Sequence, residues 1–168
     1  MTVSLWRIAT DTPDYTADDM TGRGAEITAG RWNRAGLPVV YAATNISLAA
    51  LETIVHFNAT DLPLNRILVR LDVPDNLWAS RNILTRHDAP VGWNVFPAGK
   101  VSLDLGDAWL DSGASALMEV PSAIVPEESN VLVNPRHPSI SAIKVVRTRN
   151  FLYDSRLLPT ATSTKRKK

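Results

Sequence analysis

Three short stretches of the chain collect the residue types that could do chemistry. The first is Gly22-Arg23-Gly24-Ala25, followed by Gly30-Arg31-Trp32-Asn33 and closed by Gly36. Glycines let a backbone come close to a ligand and accept dihedrals that other residues avoid. An arginine among them presents a planar fork of donors matched to phosphate oxygens. The same composition also describes a plain glycine-rich turn with a surface arginine. No Walker sequence and no GxGxxG occurs, so the standard phosphate-loop and dinucleotide-fold readings fail.

The second stretch is Val39-Val40-Tyr41-Ala42, leading to Leu48-Ala49-Ala50-Leu51-Glu52. Glu52 stands in a nearly apolar run, Ile46–Val55, that contains no basic residue. A buried carboxylate is costly unless it is paired. Either Glu52 meets a distant arginine across the fold, or it is kept where positive charge will develop in a reaction. Tyr41, at a strand end, is half-buried packing or a ring face for a flat heterocycle.

The third stretch runs from Val120-Pro121-Ser122-Ala123 through Pro126-Glu127-Glu128-Ser129-Asn130 to Asn134-Pro135-Arg136-His137-Pro138. Ser122 lies in no GxSxG elbow and has no neighbouring His–Asp pair, so a serine-hydrolase triad is weakly supported. A hydrogen bond from Ser122 to a ligand fits better than nucleophilic attack. Asn134 and His137 read, in the plain view, as turn residues.

These residues must be positioned by a fold, and eleven prolines and eight glycines cut the chain into short elements. Val3–Ala9 reads as a strand and Asp11–Gly30 as a long loop with a single helical turn. Leu37–Ala43 reads as a strand. Ser47–Asn58 reads as a helix, capped by Asn45 or Ser47 and carrying Leu48, Leu51, Ile54 and Val55 at helical spacing. Arg66–Val73 is a strand closed by Pro74, and Asp75–Leu84 a short helix. Ser102–Ser112 is a helix stopped by Gly113. Strands are expected at Ala116–Val120, Ala123–Val125, Val131–Asn134 and Ser141–Arg149, with a last short one at Phe151–Asp154. Helices early and strands late predict a single α+β domain, with mostly antiparallel sheets and flanking helices.

Composition narrows the function. The 168 residues suit one domain, and a domain of this size buries roughly 70% of its unfolded surface. The chain has no cysteine, which excludes a disulfide scaffold and thiolate zinc, and fits the reducing cytosol. Its three histidines, His56, His87 and His137, share no HxxH or HExxH spacing, so no metal is expected. The net charge of +1 conceals a basic end, Lys165 to Lys168, behind a slightly acidic body. A body-wide nucleic-acid footprint is therefore absent. The start of the chain shows no charged leader, and no apolar run approaches the roughly 20 residues of a membrane span. The expectation is a soluble, cytoplasmic protein.

Seven pieces of this chain, in order across Leu5–Leu157, resemble the RES domain, a family named for an arginine, a glutamate and a serine. The pieces are Gly30-Arg31-Trp32-Asn33-x-x-Gly36, Val40-Tyr41, Leu48-Ala49-x-Leu51-Glu52, Gly106-Asp107-x-Trp109-Leu110, Val120-Pro121-Ser122-Ala123, Glu128-x-Asn130 and Asn134-Pro135-x-His137-Pro138. One departure is Ala29, where many such proteins have glycine; it puts the local backbone shape in question. The resemblance implies an ADP-ribosyltransferase-like fold over residues 1–158, with 159–168 a basic, disordered tail. It implies a toxin of a toxin–antitoxin pair that depletes NAD by cleaving the nicotinamide–ribose bond, through hydrolysis or phosphorolysis, with NAD as substrate and no added cofactor. ADP-ribosyl transfer to a protein is the alternative, and a non-catalytic binding module is a third reading. By the same resemblance, Glu52, Arg31 and Tyr41 are catalytic, and Arg31, Tyr41, Ser122 and Asn134 bind NAD. The implied partner is an Xre-like antitoxin, with homo-oligomers inside the complex and DNA reached only through the antitoxin.

Overall fold

The computed structural model describes residues 1–57 and 62–157. In order, the elements are β1 (Thr2–Ala9), α1 (Arg23–Thr28), β2 (Val40–Ala43), α2 (Ile46–Ile54), β3 (Arg66–Pro74), α3 (Asp75–Ala79), β4 (Asn82–Ile83), α4 (Lys100–Ser112), β5 (Leu117–Pro121), β6 (Ser129–Val133) and β7 (Lys144–Phe151). The strands form one seven-stranded sheet in the order β4-β5-β6-β2-β1-β3-β7. Every pairing is antiparallel except β4 with β5. The expected α+β domain, mostly antiparallel with flanking helices, is what is seen, although helices and strands interleave along the chain.

Side chains alternate across a strand, so each strand contributes to two faces. On one face Leu5, Val40, Ala42, Leu71, Val73, Leu117, Val131 and Val133 pack with Leu77 of α3 and Ile143. The other face carries two clusters side by side. Ile8, Ala43 and Leu68 lie under Leu48 and Ala49 of α2. Met118, Val120 and Leu132 lie under Trp109 and Leu110 of α4, together with Trp32 and Trp93. Each fully buried Leu or Val contributes roughly 1.5–3 kcal/mol, so the sheet is the rigid floor. The two clusters meet along β2, where Tyr41 packs with the α4 side and Ala43 with the α2 side. Tyr41, Glu52 and Ser122 lie near that boundary.

Several local expectations change. Ala123–Val125 is a bend and not a strand, because the Ser122 hydroxyl accepts from the backbone N–H of both Ile124 and Val125 and turns the chain. Asp75–Leu84 divides into α3 and the short β4. The guanidinium of Arg81 lies 3.8 Å from the Trp78 ring centroid and 2.6 Å from Glu119, drawing the chain to the sheet edge. The last expected strand, Phe151–Asp154, is only the end of β7. β7 itself begins at Lys144, because Pro138 starts a 3-10 turn over Pro138–Ala142. The loop before β2 holds a six-residue helix, α1, rather than a single turn. The helix expected over Ser47–Asn58 ends at Ile54, with Val55 as its C-cap and a turn after it; the basic tail lies outside the described residues.

Candidate functional site

Glu52 sits on α2, which forms where Asn45 caps it: the Asn45 side-chain oxygen accepts from the Leu48 N–H at 2.8 Å. Such a cap contributes about 1 kcal/mol and sets the helix start. α2 lays Leu48 and Ala49 on the sheet, and Glu52 meets the segment that leaves β5 and enters β6. The Ser122 hydroxyl donates to Glu52 Oε1 at 2.7 Å, and the Asn130 amide donates to the same oxygen at 2.5 Å. Among the described residues Glu52 has no basic partner. The reading in which Glu52 meets a distant arginine therefore fails, because neutral donors hold it. Both bonds fall on Oε1, which leaves Oε2 without a protein partner among the described residues.

Ser122 is fully buried. It gives its one proton to Glu52 and accepts two backbone N–H groups, while its own N–H donates to the Glu128 carbonyl at 2.9 Å. Its hydrogen-bonding capacity is spent on the protein. The structure uses Ser122 to hold the carboxylate, and a direct bond to a ligand would have to displace one of these partners.

Arg31 lies in the turn between α1 and β2. Trp32 packs into the α4 cluster, and α4 comes close because residue 106 is glycine: a Cβ there would stand 1.8 Å from the Trp32 carbonyl oxygen. Asn33 is fully buried and donates to the carbonyls of Ala25 and Leu37, tying the turn across its base. Arg34 is bound by Asp104 and Asp107 of α4. Arg31 is held by neutral groups only: Nη1 donates to the carbonyls of Trp93 at 3.1 Å and Val95 at 2.8 Å. A guanidinium has five N–H donors, and those of Nε and Nη2 have no protein partner among the described residues. The Trp32 and Trp93 rings stack with centroids 6.0 Å apart, fixing the two backbones that aim Arg31.

Tyr41 ties the turn to the sheet. Its hydroxyl accepts from the Trp32 N–H at 3.0 Å and donates to Asn33 Oδ1 at 2.8 Å. Burial pushes its phenol well above the ordinary value, so it stays neutral and serves as a hydrogen-bonding strut. Gly30 makes room for it, since a Cβ there would stand 2.5 Å from the hydroxyl. In the register of β2 and β6, Tyr41 faces Leu132 and Ala43 faces Asn130. Tyr41 and Asn130 are thus diagonal neighbours on one face, a separation of roughly 7–8 Å. Tyr41, Asn130 and Glu52 lie on the same side of the sheet, and Arg31 is joined to Tyr41 through its neighbour Trp32, whose N–H bonds the Tyr41 hydroxyl.

Asn134 is not brought to this group. It follows β6 at the end away from Asn130, and its amide is used internally: Nδ2 donates to the Leu110 carbonyl and Oδ1 accepts from the Arg136 N–H. Asn130 takes the place beside Glu52 that sequence reasoning did not assign, although the Glu128-x-Asn130 motif contained it. No three His, Asp or Glu side chains gather into a metal site among the described residues. A cavity of about 360 Å³ lies at the β4–β5 edge, lined by Arg86, Glu119, Pro121 and Glu127 among others. Its lining includes Pro121 and Ser129, the chain neighbours of Ser122 and Asn130, but not Arg31, Tyr41, Glu52, Ser122 or Asn130 themselves. No described helix is long and apolar enough to cross a membrane.

Each held by neutral partners, a guanidinium such as Arg31 can grip an anion and a carboxylate such as Glu52 can meet developing positive charge. A family model described as the RES domain matches residues 4–154. A protein of Sphingobium sp. (strain YBL2) named "Prs ADP-ribosylating toxin" is 52% identical over 158 residues, covering 94% of this chain and 98% of its own. Proteins named "Toxin Res" are similar as well. That of Yersinia enterocolitica is 38% identical over 144 residues, covering 85% of this chain and 93% of its own. That of Pseudomonas putida is 37% identical over 155 residues, covering 91% and 98%.

Proposed function

The chain belongs to the RES-domain family, and from that premise we propose that it is a toxin that consumes NAD by cleaving the bond between nicotinamide and ribose. The observation that carries the reading is the division of labour at Glu52: Oε1 is anchored by Ser122 and Asn130, and Oε2 has no partner among the described residues. Cleavage breaks the C1′–N bond, and the bonding pair goes to the pyridinium nitrogen, which leaves as neutral nicotinamide. The ribose carbon gains positive character, as in glycoside hydrolysis. Glu52 Oε2 faces that charge or holds a ribose hydroxyl. Arg31 grips the pyrophosphate and sets the position of the reacting carbon. Tyr41, between the two, offers its ring to the nicotinamide. An acceptor oxygen then bonds to C1′ and gives its proton to solvent.

Three acceptors are compatible with this first step. Water or phosphate would give free ADP-ribose or its phosphorylated form, and so deplete NAD. A protein acceptor is favoured by the 52% identical relative, whose name makes it an ADP-ribosylating toxin of Prs. All three use the same first step and the same residues. Incubating the pure protein with NAD labelled in the adenosine half, with and without phosphate and a cell extract, separates them. Free ADP-ribose, a phosphorylated product or labelled protein identifies the acceptor. Intact NAD under all conditions would refute the reading.

An enzyme that drains or diverts NAD harms its own cell unless restrained. The names of the relatives, "Toxin Res", support a toxin–antitoxin setting. The proposal includes an Xre-like antitoxin that closes the site, a cytoplasmic location and self-association within the complex. Co-expression with the neighbouring open reading frame should abolish nicotinamide release, and its failure to do so would count against the pairing.

A further inference from the structure

The helix that carries Glu52 is fastened at two points to the segment Ser122–Asn130. The far point is the Ser122–Glu52–Asn130 group. The near point is Asn45: its Oδ1 caps α2 through the Leu48 N–H, and its Nδ2 donates to Glu128 Oε2 at 2.8 Å. Glu128 in turn accepts the Ser122 N–H on its main-chain carbonyl at 2.9 Å. The hydrogen bonds therefore run in a closed ring, from Asn45 to Glu128, to Ser122, to Glu52 and back along α2. A helix held at one end only can pivot, and the carboxylate lies two turns from the cap, where a small tilt becomes a large displacement. Thr44 completes the near point, its N–H and hydroxyl both donating to the Ser129 carbonyl.

We infer that Asn45, through its bond to Glu128, is a positioning residue for Glu52. The inference rests on the reading above for its kinetic consequence and on the ring alone for its structural one. Asn45 does not touch the reacting atoms; it sets the angle at which α2 delivers Glu52 to the donors from β5 and β6. The side chain is suited to the task because it is both acceptor and donor. Aspartate caps a helix as well as asparagine does, but it has no proton for Glu128 and adds a second negative charge beside it.

The test is a swap. Asn45→Asp keeps the cap, so the fold is retained, and it sets two carboxylates against each other. The expected result is a fall in kcat for nicotinamide release of roughly ten- to a hundredfold, the range a small misplacement of a catalytic group produces, with KM for NAD close to the parent's. Asn45→Asp with Glu128→Gln restores the bond in the reverse sense, the amide now at position 128 donating to the carboxylate now at position 45, and should recover most of kcat. Glu128→Gln measured alone completes the cycle, and recovery is counted as coupling between the two positions. Amide exchange of α2 is followed in the same proteins. It should speed up in Asn45→Asp and slow again in the double variant, whatever the reaction proves to be. A parent that leaves NAD intact refutes the proposed function without touching the ring. Unchanged kcat in Asn45→Asp, or a double variant no better than the single one, overturns the positioning role.

Discussion

Arg31 and Arg34 share one turn, and only Arg34 is met by carboxylates. Asp104 and Asp107 hold Arg34 to α4, while Arg31 rests on the carbonyls of Trp93 and Val95. The pairing distinguishes a structural arginine from one whose charge is available. Charge-assisted hydrogen bonds contribute about 1.5–3 kcal/mol each. Arg31→Ala should therefore raise KM for NAD roughly ten- to a hundredfold, with the melting temperature little changed. Arg34→Ala should lower the melting temperature and leave KM near the parent's. Steady-state kinetics and thermal melts of the two variants check this, and a reversed pattern would exchange their roles.

Ala29 carries backbone strain just before that turn. It has φ 61 and ψ 177, a region that only glycine occupies comfortably. Such a conformation costs on the order of 1–3 kcal/mol in a residue with a Cβ, against which glycine loses about 0.5–1 kcal/mol through its freer unfolded chain. Ala29→Gly should stabilise the protein by about 1 kcal/mol and raise the melting temperature by a few degrees. A lower melting temperature would contradict the strain.

The long loop before α1 is tied to β7 by Arg147, which bonds Asp11 through both terminal nitrogens and Asp18 through one. The Arg147 guanidinium first, and the Ala17 N–H after it, lower the Asp11 carboxyl from its ordinary 3.8 to about 2, and Arg147 also lowers Asp18. A carboxyl depressed in the fold stabilises it above its unfolded value, and that contribution is lost as pH falls through the folded value. The stability gap between the parent and Arg147→Gln should thus be full above about pH 4 and close as pH approaches 2. Carboxyl NMR of Asp11 in both proteins tests the cause: the midpoint should rise toward the ordinary value in the variant.

How much of this was legible in the sequence depends on the range of the contact. β1, β3 and α4 follow local periodicity, and α4 ends at Gly113, which takes the left-handed conformation its residue type predicts. Arg31 and Glu52 stood out because a glycine-flanked arginine and a carboxylate in an apolar run are both locally anomalous. Their partners were hidden. Ser122 and Asn130 reach Glu52 across 70 and 78 residues, and no local pattern encodes which strand end lies beneath α2. Asn130 lies near the start of β6 and Asn134 just past its end, and the period of a strand identifies its faces but not its ends. Ala123–Val125, apolar and next to proline, has a strand's local pattern, but the Ser122 hydroxyl folds it back through the N–H groups of Ile124 and Val125.

The charge on Glu52 is the centre of the account, and Glu52→Gln isolates it. Glutamine keeps an oxygen for Ser122 and Asn130 and replaces only Oε2 with an amide, so folding and NAD binding should survive. Losing one preorganised electrostatic partner costs roughly 100- to 1000-fold in rate. Nicotinamide release from NAD, measured by mass spectrometry on parent and Glu52→Gln protein with matched melting curves, is the direct test. A parent that releases nicotinamide and a variant slowed by that factor would be the predicted result. Equal release from the two proteins would contradict it.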